Sequence, residues 1–511
     1  MVVNYMRNRI IFCFIILLTL FLSISFISAS ENATCDNLTS GLDDLTPVGE
    51  IDDKNDMDIN RSSTEISADD KTSYVDYNDK FTVRLTSNGT GLVNKSVSIT
   101  LNDVEYNKTT DSNGNAIIDF KLKAGTYIIS YIFLGDDNYT SSNGTASLTI
   151  KSDLKTSLKL IEKNTKYCEG VKAVFQLKLT DVYGKAVFGK TVKIKVGSKT
   201  YSAKTDKKGV AIFYISLKKG NNVIKYYFSK SGKYVASSGS KQIAVKKKLS
   251  AGNGYWVNKW SMKKVNLKKL AKKGTKHIFL LHTSFSMHGK KKVISWIKKA
   301  HKYGMKVHIW ISAFYKNGYV HPCSKKGKFN YKHMNKIIKK AKYYAGFKEV
   351  DGIHFDYTRF GGNAYKYKNS VKAVNYFIKK ASESVRSVHP GIIVSSAVMP
   401  EPSSMKHYYA QDITTMSKHL DVLVPMIYKG NYHASSKWIK KITKQFVKKS
   451  KGAKIWSGLQ TYKSDSNIKK LSYKALFKDA KNAKSGGASG VVLFRWGLSK
   501  LLNFNKLKIK G

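Results

Sequence analysis

Residues 351–360, Asp-Gly-Ile-His-Phe-Asp-Tyr-Thr-Arg-Phe, hold the side chains best suited to chemistry in this chain. An apolar strand pattern ends there in a carboxylate, Asp356, and Arg359 follows three residues later. Carboxylates are scarce nearby, since residues 251–511 contain nine, and the whole chain has seven arginines against 83 lysines. Where lysine is the common cation, an arginine at a strand end indicates a need for its planar, forked donors. Asp356 is therefore the candidate catalytic group and Arg359 a candidate binding group.

The predicted elements separate the carboxylates that can reach a site from those that cannot. Five of the nine begin or precede a strand or lie inside a helix, and the four that follow strands are Asp356, Glu401, Asp412 and Asp465. Glycoside cleavage needs one carboxylate that attacks the anomeric carbon or activates water, and a second that protonates the leaving oxygen. We predict Asp356 as nucleophile or base and Glu401 as acid/base. The alternative for Asp356 is a loop cap or an ion pair with Arg359.

Several side chains near the predicted strand ends could bind a sugar. Alternation places His354 one layer below Asp356, where it could orient the carboxylate or be a satisfied core histidine. Aromatic faces suit sugar C–H surfaces, although aromatic residues are equally common in cores. By position, the candidate substrate-binding residues are His354, Arg359, Trp256, Trp310, Tyr428, Gln460, Arg495 and Trp496. His277 and His282 are too far apart along one strand to chelate a metal, so we predict no metal and no cofactor.

These side chains need a framework, and the pattern after Gly252 supplies one. Short apolar runs alternate there with lysine-striped helical patterns such as 293–303 and 371–388. The predicted strands are 255–257, 277–282, 306–312, 352–356, 392–398, 421–428, 454–459 and 490–495. Eight strands alternating with helices over 252–511 predict an α/β (β/α)8 TIM barrel. A doubly wound sheet is the alternative, although no strand is followed by a nucleotide-binding glycine turn.

Two repeats precede the predicted barrel. Asp111-Ser-Asn-Gly-Asn-Ala-Ile-Ile recurs as Asp206-Lys-Lys-Gly-Val-Ala-Ile-Phe, in a register of 95 residues. Short alternating strands broken by glycine and asparagine turns are typical of antiparallel β-sandwiches. Both units resemble the invasin-type Ig-like modules of bacterial and archaeal surface proteins, which are usually spacers. We therefore predict Ig-like domains at 72–150 and 151–248.

The amino terminus indicates export. Arg7 and Arg9 precede an apolar run and a small-residue site, so residues 1–30 are predicted as a signal peptide or, alternatively, an uncleaved membrane anchor. Residues 31–71 are acidic and lack apolar periodicity, which predicts a disordered spacer. Glycosylation sequons at eight asparagines are confined to the first third of the chain, as expected for a glycosylated stalk.

Charge indicates the kind of partner. Residues 251–511 carry 55 basic and nine acidic side chains, a net charge of +46 within a total of +56. An exported domain this basic is attracted to anionic surfaces, such as acidic wall polymers or uronic-acid polysaccharides. Nucleic acid is disfavoured by export and by the scarcity of arginine. The alternative is that the lysines only solvate helix faces. A membrane is predicted as partner only through an uncleaved 1–30 segment.

Two blocks resemble a known family. Residues 351–360 are similar to the Gly-(Ile/Val)-x-(Phe/Leu)-Asp-Tyr-Ile-Arg-(Phe/Tyr)-Pro signature of glycoside-hydrolase-like TIM barrels, distant relatives of the α-amylase-type glycosidases. Gln411-Asp412 and the segment 420–428 resemble that family's strand-six block. The resemblance implies Asp356 as nucleophile and Arg359, Gln411, Met426 and Tyr428 as groove residues. Departures at Thr358, Gly361 and 429–432 affect the implied substrate contacts.

Together these observations predict an exported or cell-surface glycoside hydrolase acting on a cell-wall or extracellular polysaccharide, anionic or amino-sugar in type. Ig-like repeats joined to a lysine-rich barrel also resemble the adhesin-like surface proteins of methanogenic archaea. The rival prediction is therefore a non-catalytic adhesin whose barrel only binds glycan.

Overall fold

The computed structural model of the protein describes residues 61–164 and 166–509. The predicted export segment, 1–30, and most of the predicted spacer lie outside the described residues. Two compact units are distinguished, and the larger, Ser63–Gly135 with Thr140–Gly511, holds all the elements discussed below. No helix among the described residues combines the length and the apolar character needed to cross a membrane.

The first β module contains two sheets. One has strands β1, β3, β4 and β7, and the other has the order β2-β9-β8-β5-β6. The strands are β1 Glu65–Ser67, β2 Lys71–Tyr74, β3 Asp79–Ser87, β4 Thr90–Gly91, β5 Ser96–Leu101, β6 Val104–Thr109, β7 Asn115–Phe120, β8 Gly125–Phe133 and β9 Ser142–Lys151. β1 lies inside the stretch predicted as disordered spacer and pairs antiparallel with β3, so order begins before residue 72.

The second β module has a three-stranded sheet, β10-β12-β15, and a four-stranded sheet, β14-β13-β16-β17, that share one hydrophobic core. A short pair, β11-β18, completes it. The strands are β10 Thr156–Glu162, β11 Cys168–Glu169, β12 Lys172–Asp181, β13 Thr191–Val196, β14 Lys199–Lys204, β15 Val210–Ser216, β16 Gly220–Phe228, β17 Ser237–Val245 and β18 Lys247–Lys248.

The repeated turn has the same structure in both modules. Gly114 has φ 80° and Gly209 has φ 73°, and a Cβ atom at either would lie 2.4 Å from a backbone carbonyl oxygen of the strand that pairs with the following one, Leu85 in β3 or Leu179 in β12. Asp111 accepts two backbone N–H groups of its turn, and Asp206 accepts the equivalent two. Only glycine fits this conformation and approach, which explains the conserved Asp-x-x-Gly spacing between the two repeats.

The rest of the chain forms a closed barrel of eight parallel strands, in the order β19-β20-β21-β22-β23-β24-β25-β28. Its strands are β19 Gly254–Val257, β20 His277–Leu281, β21 Lys306–Ser312, β22 Gly352–Asp356, β23 Ile393–Val398, β24 Val422–Pro425, β25 Lys454–Gln460 and β28 Gly490–Phe494. Every predicted strand is present, although the sixth ends at Pro425 instead of residue 428. A hairpin, β26 Tyr462–Ser464 with β27 Asn467–Lys470, follows the seventh barrel strand.

Helices connect most of the barrel strands. They are α1 Leu267–Lys272, α2 Ser284–His288, α3 Lys290–Lys302, α4 Tyr331–Ala345, α5 Ser370–Val388, α6 Met405–Tyr409, α7 Ile413–His419, α8 Ser436–Lys449 and α9 Tyr473–Ser485. Short 3-10 turns lie at Met262–Lys264, Ala364–Lys366, Lys429–Tyr432 and Phe504–Leu507. The longer helices are amphipathic; α5, for example, buries Val374, Phe377 and Val385 and exposes its lysines.

The second β module packs against the amino-terminal end of the barrel. Val171 and Leu249 join Trp456 and the barrel strands in one buried cluster. The backbone N–H of Lys172 donates to Asp421 Oδ1 at 3.0 Å, and Arg386 donates to Asp421 Oδ2 at 2.8 Å. All three side chains are buried. This module therefore shares its packing with the barrel, which the sequence interpretation as a spacer did not anticipate.

Candidate active site

Asp356 is the last residue of β22, at the carboxyl end of the barrel, and only 7% of its surface is exposed. Its Oδ1 accepts the backbone N–H of Tyr357 at 2.7 Å, and its Oδ2 accepts the indole N–H of Trp310 at 3.1 Å. Burial raises the pKa of Asp356, while these two donors and the charge of Arg359 oppose that rise. The carboxylate is thus fixed in orientation and partly desolvated.

A cavity of about 520 Å³ opens at this end of the barrel. Its walls come from residues at the ends of barrel strands and in the loops that follow them. The lining residues are Trp256, Trp310, Asp356, Tyr357, Arg359, Met399, Pro400, Met426, Tyr428, Asn431, Tyr432, Asp465 and Phe494. Aromatic walls with a few convergent polar groups are typical of small-molecule and sugar-binding sites.

The distribution of ion pairs singles out three carboxylates at or beside this cavity. Of the nine in residues 251–511, six lie within 4 Å of a lysine, arginine or histidine nitrogen. Among the described residues, the three without such a partner are Asp356, Glu401 and Asp465. In a domain with 55 basic side chains, these acids are held instead by neutral donors.

Glu401 lies behind the cavity wall. Its Oε1 accepts the hydroxyl of Tyr432 at 2.5 Å and that of Tyr409 at 3.3 Å. Tyr432 and the neighbouring Pro400 line the cavity, whereas Glu401 is absent from the lining. Burial and the bond to Glu401 raise the pKa of Tyr432, which keeps this phenol protonated. Glu401 is therefore well placed to orient Tyr432.

Asp465 lines the cavity directly, on the turn between β26 and β27. Its Oδ1 accepts the hydroxyl of Tyr462 at 2.6 Å, and its Oδ2 accepts the side-chain amide of Asn431 at 2.7 Å. Burial raises the pKa of Tyr428, a residue of the same cavity, and the charges of Asp356 and Asp465 raise it further. Asp356 and Asp465 thus share one lined space.

Arg359 lies among tyrosine rings at the edge of the cavity. Its guanidinium carbon is 4.9 Å from the ring centre of Tyr357, 5.3 Å from that of Tyr319 and 5.7 Å from that of Tyr409. It also donates to the hydroxyl of Tyr319 and to the backbone oxygen of Phe360. No carboxylate lies within ion-pair distance of Arg359 among the described residues, so the predicted pairing with Asp356 is not formed.

Six of the sequence-predicted site residues line the cavity: Asp356, Arg359, Trp256, Trp310, Met426 and Tyr428. Six others lie outside the lining: Glu401, His354, Gln411, Gln460, Arg495 and Trp496. The first group ends barrel strands or follows them closely. The second group points into packed regions, into loops or to solvent.

His354 and Gln411 are buried and hydrogen bonded to other parts of the barrel. His354 is fully buried and hydrogen bonded to Ser395 Oγ at 2.9 Å, not to Asp356, because its ring turns toward the fifth strand. Gln411 is also fully buried; it accepts the backbone N–H of Met399 and donates to the backbone oxygen of Thr358. Neither residue is among those that line the cavity. Gln411 instead ties the loop after strand four to the end of strand five.

The remaining predicted residues lie beside the cavity without lining it. Gln460 is buried and donates to Asn431 Oδ1 at 3.1 Å, so it positions a residue of the cavity wall. Trp496 packs against the core around the barrel, because its backbone N–H binds the first strand at Trp256. Arg495 is exposed. None of the three is among the residues that line the described cavity.

Sequence reasoning missed several residues of the cavity wall. Tyr357 has a left-handed backbone, φ 51°, which turns its N–H back onto Asp356. Such a conformation is unusual for a bulky residue and often marks functional sites. Asn431 and Tyr432 belong to the short 3-10 turn at Lys429–Tyr432, where the sequence departs from the resembled family. Tyr357, next to Asp356 in the motif, was the one residue that local sequence could have indicated.

Part of the barrel matches a known protein family. Residues 295–453 match the family described as "Putative glycosyl hydrolase domain". The matched stretch includes Asp356, Arg359, Glu401 and Tyr428, so this part of the barrel is glycoside-hydrolase-like. No curated protein matches the chain.

Several solved structures are similar to parts of the chain. The Bacillus cereus spore cortex-lytic enzyme SleL is 14% identical, with 58% of this chain and 87% of that chain covered and a TM-score of 0.38. A class V chitinase from Pseudomonas fluorescens Pf-5 is 12% identical, with coverage of 51% and 99% and a TM-score of 0.41. A Bacteroides uniformis beta-glucuronidase is 9% identical, with coverage of 82% and 59% and a TM-score of 0.34.

Proposed function

We propose that the protein is an exported glycoside hydrolase that cleaves a cell-wall or extracellular polysaccharide in the cavity at the carboxyl end of a TIM barrel. The observation that carries the proposal is a set of three carboxylates, Asp356, Glu401 and Asp465, at or beside one aromatic-lined cavity. None of them has a cationic partner within the described part of the chain. The usual mechanism of glycoside cleavage uses two such groups.

Asp356 is the proposed nucleophile or base. The N–H groups of Tyr357 and Trp310 stabilise its ionised form against burial, which is the form that either role needs. As nucleophile, it would bond to the anomeric carbon while the leaving oxygen takes a proton from the second carboxylic acid. Water then releases the sugar and restores both groups. As base, it would take a proton from the attacking water in a single step.

Two residues compete for the second role. Glu401 is the acid/base that the sequence indicates, and it reaches the cavity through Tyr432. Asp465 lines the cavity itself and shares Tyr428 as a neighbour with Asp356. We propose Asp465 as the stronger candidate on the basis of this lining, with Glu401 positioning Tyr432.

The substrate is proposed to be anionic or to carry amino sugars within an acidic matrix. The net charge of +46 on residues 251–511 attracts polyanions over a range set by the salt concentration. The two β modules, interpreted as Ig-like domains, fit a cell-surface protein. The predicted glycosylation sites at Asn88, Asn94, Asn107, Asn138 and Asn143 are all exposed. A signal peptide or anchor at 1–30 is proposed to direct export.

The alternative function is a non-catalytic adhesin whose barrel binds glycan. It is favoured by the neutral hydrogen bonds that occupy one oxygen of Glu401 and both oxygens of Asp465, since these leave fewer groups free for proton transfer. An anionic-lipid or nucleic-acid binder would instead show steep salt dependence without preference among sugars.

The variant Asp356→Asn tests the proposal. The amide keeps the shape and can still accept hydrogen bonds, so glycan binding should survive. Hydrolysis, followed as new reducing ends released from a panel of wall and uronic-acid polysaccharides, should fall by at least about a thousandfold. The matched control is Asp412→Asn, because Asp412 caps α7 outside the cavity. Binding without any hydrolysis by the wild-type chain would establish the adhesin, and full activity of Asp356→Asn would remove this site from the chemistry.

A further inference from the structure

Exposed tyrosines gather in the loops that follow the third, fourth and fifth barrel strands. Tyr315 and Tyr319 follow β21, Tyr365 lies in the 3-10 turn after β22, and Tyr408 lies in α6 after β23. Between 37% and 53% of the surface of each is exposed. These loops are at the same end of the barrel as Asp356. Large aromatic side chains left in water at one face commonly mark a binding surface.

The rings form a continuous path that begins in the cavity. Tyr357, in the cavity wall, stacks on Tyr315 at 4.6 Å between ring centres, and Tyr315 meets Tyr319 at 5.4 Å. We name this cluster, together with Arg359, the inner part of the tyrosine track. It continues the aromatic cavity wall outward without a gap in ring contacts.

The outer part of the track comprises Tyr409, Tyr408, Tyr365 and His407. The Arg359 guanidinium lies over the ring of Tyr409, which is 6.4 Å from that of Tyr408, and Tyr408 is 6.0 Å from Tyr365. His407 stacks on Tyr365 at 4.9 Å with an angle of 2° between the rings. The track therefore crosses two loops beyond the cavity, a length suited to an extended ligand.

We propose that the tyrosine track binds several consecutive units of a linear polysaccharide outside the cavity in which the bond is cleaved. This inference rests on the proposed function for the identity of the ligand as a glycan. Tyrosine presents an apolar ring face and a hydroxyl, and it loses little entropy when a ligand orders it. That combination matches sugar rings, which have apolar C–H faces and hydroxyl rims. The chain of the polymer enters along the track and places one linkage at Asp356.

The charges along the track favour an acidic glycan. Arg359 lies against three of the rings, and Lys366 lies 5.8 Å from the ring centre of Tyr365. Glu401, which accepts the hydroxyl of Tyr409 in the outer part at 3.3 Å, lies behind the cavity wall, and Asp412 is paired with Lys406 at 3.5 Å. A uronic-acid polymer would therefore meet a cation at each end of the track.

The experiment measures binding in the Asp356→Asn chain, so that no cleavage intervenes. The probes are di- and hexasaccharides of galacturonate and of chitin, titrated calorimetrically. The ratio of hexasaccharide to disaccharide affinity reports the contribution of sites beyond the cavity. Replacing both Tyr365 and Tyr408 by alanine should reduce this ratio about tenfold for the hexasaccharide that binds, as expected from two lost aromatic contacts. The galacturonate series is expected to bind more tightly than the chitin series.

The matched control is Tyr343→Ala. Tyr343 is 57% exposed and also contacts two aromatic rings, but it lies in the last turns of α4, away from the cavity. This variant should leave the ratio unchanged. Equal affinity of the Asp356→Asn chain for disaccharide and hexasaccharide would contradict the proposed binding along the track. So would an unchanged affinity ratio when Tyr365 and Tyr408 are both replaced by alanine. Because the experiment measures binding and not hydrolysis, it tests the track even if the proposed catalytic function is wrong.

Discussion

The indole N–H of Trp310 donates to Asp356 Oδ2 at 3.1 Å, across the pair of neighbouring strands β21 and β22. Both residues line the cavity, and the bond opposes the rise in the pKa of Asp356 that burial causes. A single neutral donor from the adjacent strand thus helps to keep a desolvated carboxylate ionised. No lysine in residues 61–164 or 166–509 performs this task, although lysine is by far the most abundant cation of the chain.

Trp310→Phe tests this relationship. Phenylalanine keeps an aromatic wall but removes the donor, so the pKa of Asp356 should rise further. A hydrogen bond to a charged group contributes about 1.5–3 kcal/mol, so on the acidic limb, where the ionised fraction limits the rate, kcat/KM should fall about ten- to a hundredfold. The acidic limb of the pH profile of kcat/KM should move to higher pH. Trp296→Phe, on the outer helix α3, serves as control, and an unmoved acidic limb would contradict the assignment.

The second carboxylate is resolved by comparing Asp465→Asn with Glu401→Gln. Glutamine keeps an acceptor for the Tyr432 hydroxyl, so Glu401→Gln should retain most activity if Glu401 only positions that residue. Asp465→Asn should lose at least about a hundredfold, and more on substrates with poor leaving groups, because these depend on the acid. The measurement is kcat for a series of aryl glycosides with different leaving-group pKa values. The opposite ranking would support the prediction from sequence, Glu401 as acid/base.

The sequence predicts the barrel well because each strand is a local pattern. A continuous apolar run between a lysine-striped helix and a turn identifies a buried parallel strand without knowledge of its neighbours. Asp356 follows from the same reasoning, since the end of such a strand is also a position in the barrel. The predicted strand and the observed β22 coincide at 352–356.

What the sequence cannot predict depends on where loops go. Asp465 lines the cavity because the hairpin after β25 folds over the cavity. Asn431, in another loop, donates its side-chain amide to Asp465. His354 follows the alternation into the barrel interior, but its hydrogen bond depends on Ser395 of the next strand. The contact of Lys172 with Asp421 joins residues 249 positions apart. No local pattern specifies such pairs.

The junction between the second β module and the barrel gives a stability prediction. Asp421 is the acceptor for Arg386 and for the backbone of Lys172, and its side chain is fully buried. Asp421→Asn would leave two buried cations without a counter-ion, a change that costs about 3–5 kcal/mol. All seven tryptophans lie beyond residue 251, so their fluorescence reports barrel unfolding in urea. The control is Glu383→Gln, which breaks a partly exposed pair with Lys380 and should change stability by less than about 1 kcal/mol.

Equal urea midpoints for these two variants would show that the buried contacts of Asp421 contribute nothing to barrel stability. A barrel expressed without residues 61–250 is also expected to be less stable. In that shortened chain, Trp456 and the ends of the strands would lose the cover of Val171 and Leu249.

Three buried histidines inside the barrel predict sensitivity to acid. His277 Nδ1 and His308 Nε2 are 2.9 Å apart, and His354 lies in the same interior. Burial lowers the pKa of His277 and of His354 to about 3, and that of His308 well below its usual value. The folded barrel therefore excludes protons that the unfolded chain binds below about pH 6.5, so stability falls as the pH drops from there toward 3. Each histidine contributes a loss of about 2 kcal/mol between pH 7 and pH 5.

His354→Gln should reduce this pH dependence by one histidine's share, about 2 kcal/mol. The free energy of barrel unfolding in urea, followed by tryptophan fluorescence at pH 7 and at pH 5, gives the comparison. The raised pKa of Asp356 acts in the opposite direction, adding stability as the pH falls, so both chains carry Asp356→Asn. His407→Gln, at an exposed histidine of the tyrosine track, is the control and should leave the pH dependence intact. If His354→Gln also left it intact, the interior histidines would not be the groups that exclude protons from the folded barrel.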